Sequence, residues 1–296
     1  MDLRVLRYFL VVAREENITR AAALLHLTQP TLSRQLMQLE AELGVKLFLR
    51  SRYRIILTDD GILLRRRAQE LVEMADKVER EFRHRGEELA GEVSIGSGEL
   101  RSMDHLAGLL ASFHAMNPQV TYQIYSGNAD NIKERIEQDL LDFGLLLEPV
   151  DITKYEFIRM PVIEEWGALV SESSPLAALE RLTPEELAAQ PLILTRRELV
   201  QQEFIHWMGP FADRMEVVAG GNLPYNTALL ARNNLGAFIT LRLHCAYEGL
   251  RFLPLSPPLR AGSVLAWKRT QAISPAAQAL IQYIQTRLDT VPVEPT

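Results

Sequence analysis

Apolar residues recur at helical spacing from the start of the chain. Leu3, Leu6, Phe9, Leu10 and Ala13 mark one face of a helix that stops near Glu16-Asn17. Asn17 is placed to cap a second short helix, ITRAAALL, whose three alanines permit close helix packing. After a tight connection at His26-Leu27, Thr28 offers the N-cap of a third helix, and Pro30 falls in its first turn, where no intrahelical N–H is lost. Two short helices joined by a few residues form a helix-turn-helix pattern. In the third helix Leu32, Leu36, Leu39 and Leu43 fall at spacings of 4, 3 and 4, one stripe facing the other helices. At about 100° per residue, Pro30, Arg34, Met37 and Gln38 lie opposite that stripe, with Thr31 and Ser33 on the flanks.

The segment VKLFLRSRYRIILT, residues 45–58, reads as a small hairpin or wing with a basic tip. Arg50, Arg52 and Arg54 alternate along it, so they share one side of an extended segment and can reach phosphates; a solvated edge strand is the other reading. Thr58-Asp59-Asp60 then caps a long helix, with acids at its positive end. Leu64, Ala68, Leu71, Ala75, Val78 and Phe82 step 4, 3, 4, 3, 4, a coiled-coil seam that Gly86 ends. A helix from about 59 to 85 is on the order of 40 Å long. That is too long to bury its stripe on a small three-helix domain, so the expected partner is its copy in a second subunit, with a two-fold, interrupted-palindrome DNA site to match.

From residue 87 the pattern changes to strand, helix, strand, helix, strand: EVSIGSG, LRSMDHLAGLLASFHAMNP, VTYQIYSGN, NIKERIEQDLLD and FGLLLE. It resumes with WGALVSE, TPEELAAQ, PLILT, LVQQEFIHWM, RMEVVAG, LPYNTALLARN, LGAFIT, VLAWK and SPAAQALIQYIQTRL. This predicts a parallel α/β body of two similar units with a cleft between them.

Charge sharpens the division. Residues 1–58 carry nine Lys and Arg against five Asp and Glu, or +4, which leaves −10 for the rest of a chain whose net charge is −6. A small basic module on an acidic body places phosphate contacts in the module. On its third helix Gln29, Thr31, Ser33, Arg34, Gln35 and Gln38 include no acid, whereas a face meant only for water more often carries Glu/Lys pairs. Short hydrogen-bonding side chains beside one arginine suit base edges and phosphates in a major groove. No apolar run reaches the roughly 18 residues of a membrane span, and MDLRVLRYFLVVAREEN is too soon interrupted by charge for a secretory signal, so a cytoplasmic protein without membrane contact is expected. The single cysteine, Cys245, excludes an internal disulfide and a cysteine-cluster metal site and reads as a buried or idle thiol. Glu99, Asp104, His105 and His114 form no nucleophile, metal or cofactor motif, and no GxxxxGK[ST] occurs, so neither an enzyme nor a cofactor or metal is expected.

The stretch NITRAAALLHLTQPTLSRQLMQLEAELGVKLFLRS, with the later LTDDG, closely resembles the winged helix-turn-helix of LysR-type transcriptional regulators over residues 1 to about 85. The resemblance implies base reading by Thr19, Gln29, Thr31, Ser33 and Arg34, with Arg50, Arg52 and Arg54 on phosphates. Met37 and Gln38 stand where family members often carry a basic residue, and Tyr53 where the wing often has arginine. More weakly, the body resembles the family's periplasmic-binding-protein-like effector domain. That implies an α/β chain of three parts: a winged domain at 1–58, a linker and dimerisation helix at 59–86, and an effector domain at 87–296, with lobes at 91–162 plus 268–296 and at 163–267. A dimer or tetramer that also meets RNA polymerase is implied. Ligands of such sheets sit at the carboxyl ends of strands, where Ser97, Gly98, Ser126, Gly127, Asn128, Thr195, Gly221 and Asn222 offer donors for an anionic or polar metabolite. Each of these also reads as ordinary turn or cap chemistry.

Overall fold

The computed structural model describes residues 1–50, 55–83, 89–270 and 273–288, leaving aside the side chains of 50, 77 and 79–83. It divides into two compact units, Met1–Arg83 and His84–Thr296.

In the first unit α1 (Leu3–Glu15), α2 (Ile18–Leu24) and α3 (Gln29–Leu43) pack around Leu6, Phe9, Val12, Ala21, Leu32 and Leu36. The caps are those expected: Asn17 accepts from the N–H of Arg20, and Thr28 from that of Thr31. The wing is antiparallel, β1 (Phe48–Arg50) on β2 (Ile55–Leu57), with Phe48 opposite Leu57. Glu40, buried on α3, accepts from the N–H groups of Leu47 and Phe48 and from Lys46 Nζ, which fixes the helix to the wing. Burial alone would raise its pKa; the Leu47 N–H, Lys46 and the Phe48 N–H outweigh that and hold the carboxyl below its usual range.

Thr58 Oγ1 accepts from the N–H of Gly61 and starts α4 (Asp59–Arg83). Gly61 lies against the wing so closely that a Cβ there would stand 2.2 Å from the Leu47 carbonyl oxygen. The seam expected along α4 is divided. Ala68 is buried and Leu64 packs on the core of this same unit, together with Val72, and Asp76 pairs with Arg7 of α1 at 2.5 Å. Leu71 and Val78 point outward and are exposed, and Ala75 is half-buried. The stripe of 68, 72 and 76, spaced four apart, packs along α1, so a partner helix is left only the outer half of the predicted seam. Gly86 lies outside the described residues, and Phe82 is described through its backbone alone.

The second unit contains β3 (Gly91–Ser97), α5 (Ser102–Met116), β4 (Val120–Ser126), α6 (Ala129–Glu137), β5 (Phe143–Leu147), β6 (Tyr155–Arg159), β7 (Glu164–Ser171), α7 (Pro184–Ala188), β8 (Pro191–Thr195), α8 (Glu198–Met208), β9 (Glu216–Gly221), α9 (Pro224–Arg232), β10 (Ala237–Leu241), β11 (Leu250–Pro254), β12 (Arg260–Ala261), β13 (Ser263–Lys268) and α10 (Pro275–Leu288). The first lobe is built on the sheet β4-β3-β5-β13-β6, the second on β11-β7-β10-β8-β9 with β12 beside β7, so the chain returns to the first lobe before Ser263 rather than at 268 as expected, because β13 pairs with β5 and β6. Both sheets are mixed rather than wholly parallel. β13 runs antiparallel to β5 and β6, and β7 antiparallel to β10 and β11. The cause is the double crossing of the chain, outward after β6 and back before β13, which reverses the returning strand. β6, β11 and β12 do not stand out in the sequence pattern.

At the crossings Glu164 is fully buried and binds the start of α5, whose own N-cap residue Arg101 supplies no side-chain bond. Its carboxylate accepts from the N–H groups of Arg101 and Ser102 at 3.1 and 2.9 Å and from Ser102 Oγ, which also meets Ser263 Oγ at the return crossing.

Candidate functional site

Two places gather the residues singled out by the sequence. On α3, Gln29, Thr31, Arg34, Met37 and Gln38 are exposed on one face, and Thr19 of α2 is exposed as well. Arg34 has no ion-pair partner among the described residues. Ser33 departs from expectation: it is buried, on an arc of Leu32, Leu36, Leu39 and Glu40. Leu43 departs the other way and is exposed. Arg52 and Arg54 lie outside the described residues, as does Tyr53; Arg50 is described through its backbone, paired with Ile55. From Gln29 to Arg34 the exposed face offers amide, hydroxyl and guanidinium groups and no carboxylate, the chemistry that meets base edges and phosphates, while one turn past it Gln38 donates to the Glu42 carboxylate.

The second place is a cavity of about 100 Å³ between the lobes of the second unit. From the first lobe it takes Gly98, Gly127 and Asn128, from the second Thr195, Gly221 and Asn222, all at carboxyl ends of strands. Asn128 also caps α6, accepting from the N–H of Asn131 at 2.9 Å, and Thr195 Oγ1 accepts from the N–H of Arg197, so the cap reading and the lining position hold together. Gly221 is obligatory, since a Cβ would meet Thr227 Oγ1 at 1.9 Å. Ser97 and Ser126 are not on the cavity wall. Ser97 is buried and donates to the carbonyl of Gly98, and Ser126 is exposed at the end of β4.

Arg197, Trp166, Thr240 and Glu99 also line the cavity, beyond the positions expected from the sequence. Burial pushes the Glu99 carboxyl up and the Arg197 guanidinium down, Asp130 opposing the latter. An arginine two residues past a strand end, in the run TRREL, was the available signal. Cys245 is exposed rather than buried. Among the described residues no group of three His, Cys, Asp or Glu is placed to hold a metal, and no helix is long and apolar enough to cross a membrane.

Residues 3–62 match the bacterial regulatory helix-turn-helix protein of the lysR family, and residues 86–289 match the LysR substrate binding domain. The HTH-type transcriptional regulator BsdA of Bacillus subtilis is 30% identical over 66% of this chain and 67% of its own length. The HTH-type transcriptional regulator YeiE of Escherichia coli is 31% identical over 70% of this chain and 69% of its own. Among solved structures, full-length CbnR complexed with its target DNA superimposes with a TM-score of 0.74 at 20% identity, covering 97% of this chain and 99% of that one. A second structure, of CbnR, a LysR family transcriptional regulator, gives 0.78 at 19% identity over the same shares. A capped helix-turn-helix with an acid-free first half to the outer face of its third helix, a two-stranded wing, a two-lobed α/β body and these matches lead to one assignment: the chain belongs to the LysR family of DNA-binding transcriptional regulators.

Proposed function

We propose that this regulator grips double-stranded DNA at an interrupted palindrome as a homo-oligomer, dimer or tetramer, and that a small polar or anionic metabolite in the inter-lobe cavity alters the grip. The observation that carries the DNA half is the exposed face of Gln29, Thr31 and Arg34 on α3, continued by Thr19, with no acid on it. Thr19, Gln29, Thr31 and Arg34 read bases, and Arg50, Arg52 and Arg54 hold phosphates; Ser33 supports the helix from its buried side. The exposed Leu71 and Val78 of α4 supply the apolar contact between copies. The effector half is supported by the donors that Gly98, Gly127, Asn128, Thr195 and Asn222 bring to one cavity. A ligand shifts the DNA equilibrium only by as much as it prefers one lobe arrangement over another. We assign no catalytic role, cofactor or membrane contact, and place the protein in the cytoplasm, where it meets RNA polymerase.

The test is gel-shift titration on DNA upstream of its own and neighbouring genes across a salt series. Specific, salt-steep binding that drops at least tenfold in Arg34→Ala and Thr31→Ala is expected. Binding that is indifferent to sequence, or unchanged in both variants, would defeat the reading.

A further inference from the structure

Arg197 is a buried cation with no ion pair among the described residues, Asp130 acting on it only from beyond that distance. Its side chain is 6% exposed and forms part of the cavity wall. Nη1 donates to the Leu147 carbonyl at 2.9 Å and Nη2 to the Pro149 carbonyl at 2.5 Å, so a guanidinium of the second lobe holds backbone of the first. Nε is buried and meets no acceptor among the described residues. No carboxylate of the described residues stands within ion-pair distance of the group. Carbonyl dipoles compensate a full charge only in part, and an unpaired buried ion costs several kcal/mol. Arg197 therefore keeps an unmet Nε donor and a charge that no carboxylate contacts, on the wall of the cavity.

The rest of the wall narrows what can bring it. The first turns of α6 and α9 reach the cavity at Ala129 and Pro224, adding positive helix ends. Leu100, Leu145, Trp166, Val200, Phe238 and Leu241 make the remaining surface apolar, unfit for the outer oxygens of a phosphate. Glu99, also on the wall, opposes a second ligand charge. The volume is on the order of that which accommodates a benzene ring.

We propose that the cavity takes a compact organic monocarboxylate, its apolar body against Trp166 and Phe238 and its carboxylate on Arg197. The assignment rests on the reading of this cavity as the effector site. The same guanidinium then serves the ligand and the tie between lobes, so occupancy bears on lobe arrangement through Arg197.

Benzoate, isovalerate, their amides and inorganic phosphate are titrated into the full chain, followed by tryptophan emission and by melting temperature. Each carboxylate should bind at least tenfold more tightly than its amide and than phosphate. Arg197→Lys, which keeps the charge and loses the planar fork, should weaken carboxylate binding about tenfold. Arg197→Met should erase the preference over the amide, with circular dichroism reporting its fold; if it does not fold, Arg197→Lys alone decides. The proposal is overturned by carboxylates that bind no better than amides, or by a preference intact in Arg197→Lys and Arg197→Met. Should the amides bind with an emission change that Trp166→Phe abolishes, only the carboxylate assignment falls. Silence from every titrant overturns the effector reading with it.

Discussion

Glu40 shows how much a single buried acid decides in the winged unit. Its carboxylate carries the N–H groups of Leu47 and Phe48 and the Lys46 ammonium, and its pKa is held down in consequence. A depressed carboxyl contributes stability that is present above its unfolded value and is lost as pH falls through the folded one. Glu40→Gln should therefore cost about 1 to 3 kcal/mol at pH 7 in urea unfolding of the full chain, and the deficit should close below roughly pH 4. A deficit that stays constant with pH would show that the charge is not what matters. The same residue marks a limit of legibility. Glu40 and Ser33 are polar letters on the buried arc of α3, and a pattern reading sends polar letters outward. What keeps Glu40 inside is a pair of backbone donors in the following turn, and nothing in its own side chain announces them.

Among the elements, the helices of the first unit were readable because their caps and stripes are local. Asn17 and Thr28 act within three residues, and Leu32, Leu36 and Leu39 need only the helical period. The role of α4 was only half readable, since its seam is shared between two neighbours that a heptad count cannot tell apart. Leu71→Asp with Val78→Asp should leave the melting curve nearly unchanged while moving the protein toward monomer in light scattering. Ala68→Asp should instead unfold the first unit, because that side chain has no exposure to give. Equal effects from both changes would remove the distinction between inner and outer faces. At the start of α4, Gly61→Ala should destabilise by about 1 to 3 kcal/mol, because the added methyl meets the Leu47 carbonyl; an unchanged urea midpoint would show that the wing yields freely.

For the whole molecule the decisive quantity is charge placement. A segment of +4 within a chain of −6 lets the acidic body repel DNA while the winged unit holds it, so binding should be steep in salt. Met37 sits exposed on the outer face of α3, and Met37→Arg should strengthen binding to all sequences and raise the salt slope by about one unit. An unchanged slope in filter binding would place Met37 off the phosphate path. The two-lobed body was legible as alternating strands and helices, and the four turns at Gly98, Gly127-Asn128, Thr195 and Gly221-Asn222 lie on the cavity. Arg197 and Glu164 were not legible, because their partners lie 48 to 63 residues away and only the double crossing brings them together.

That crossing has a further consequence. Glu164 opens the strand that begins the second lobe, yet its carboxylate holds the first turn of α5 in the first. The far end of that helix is tied to the first lobe, Tyr122 donating to the Leu110 carbonyl and His114 meeting that of Val120, so α5 is a strut anchored in one lobe and footed on the strand that opens the other.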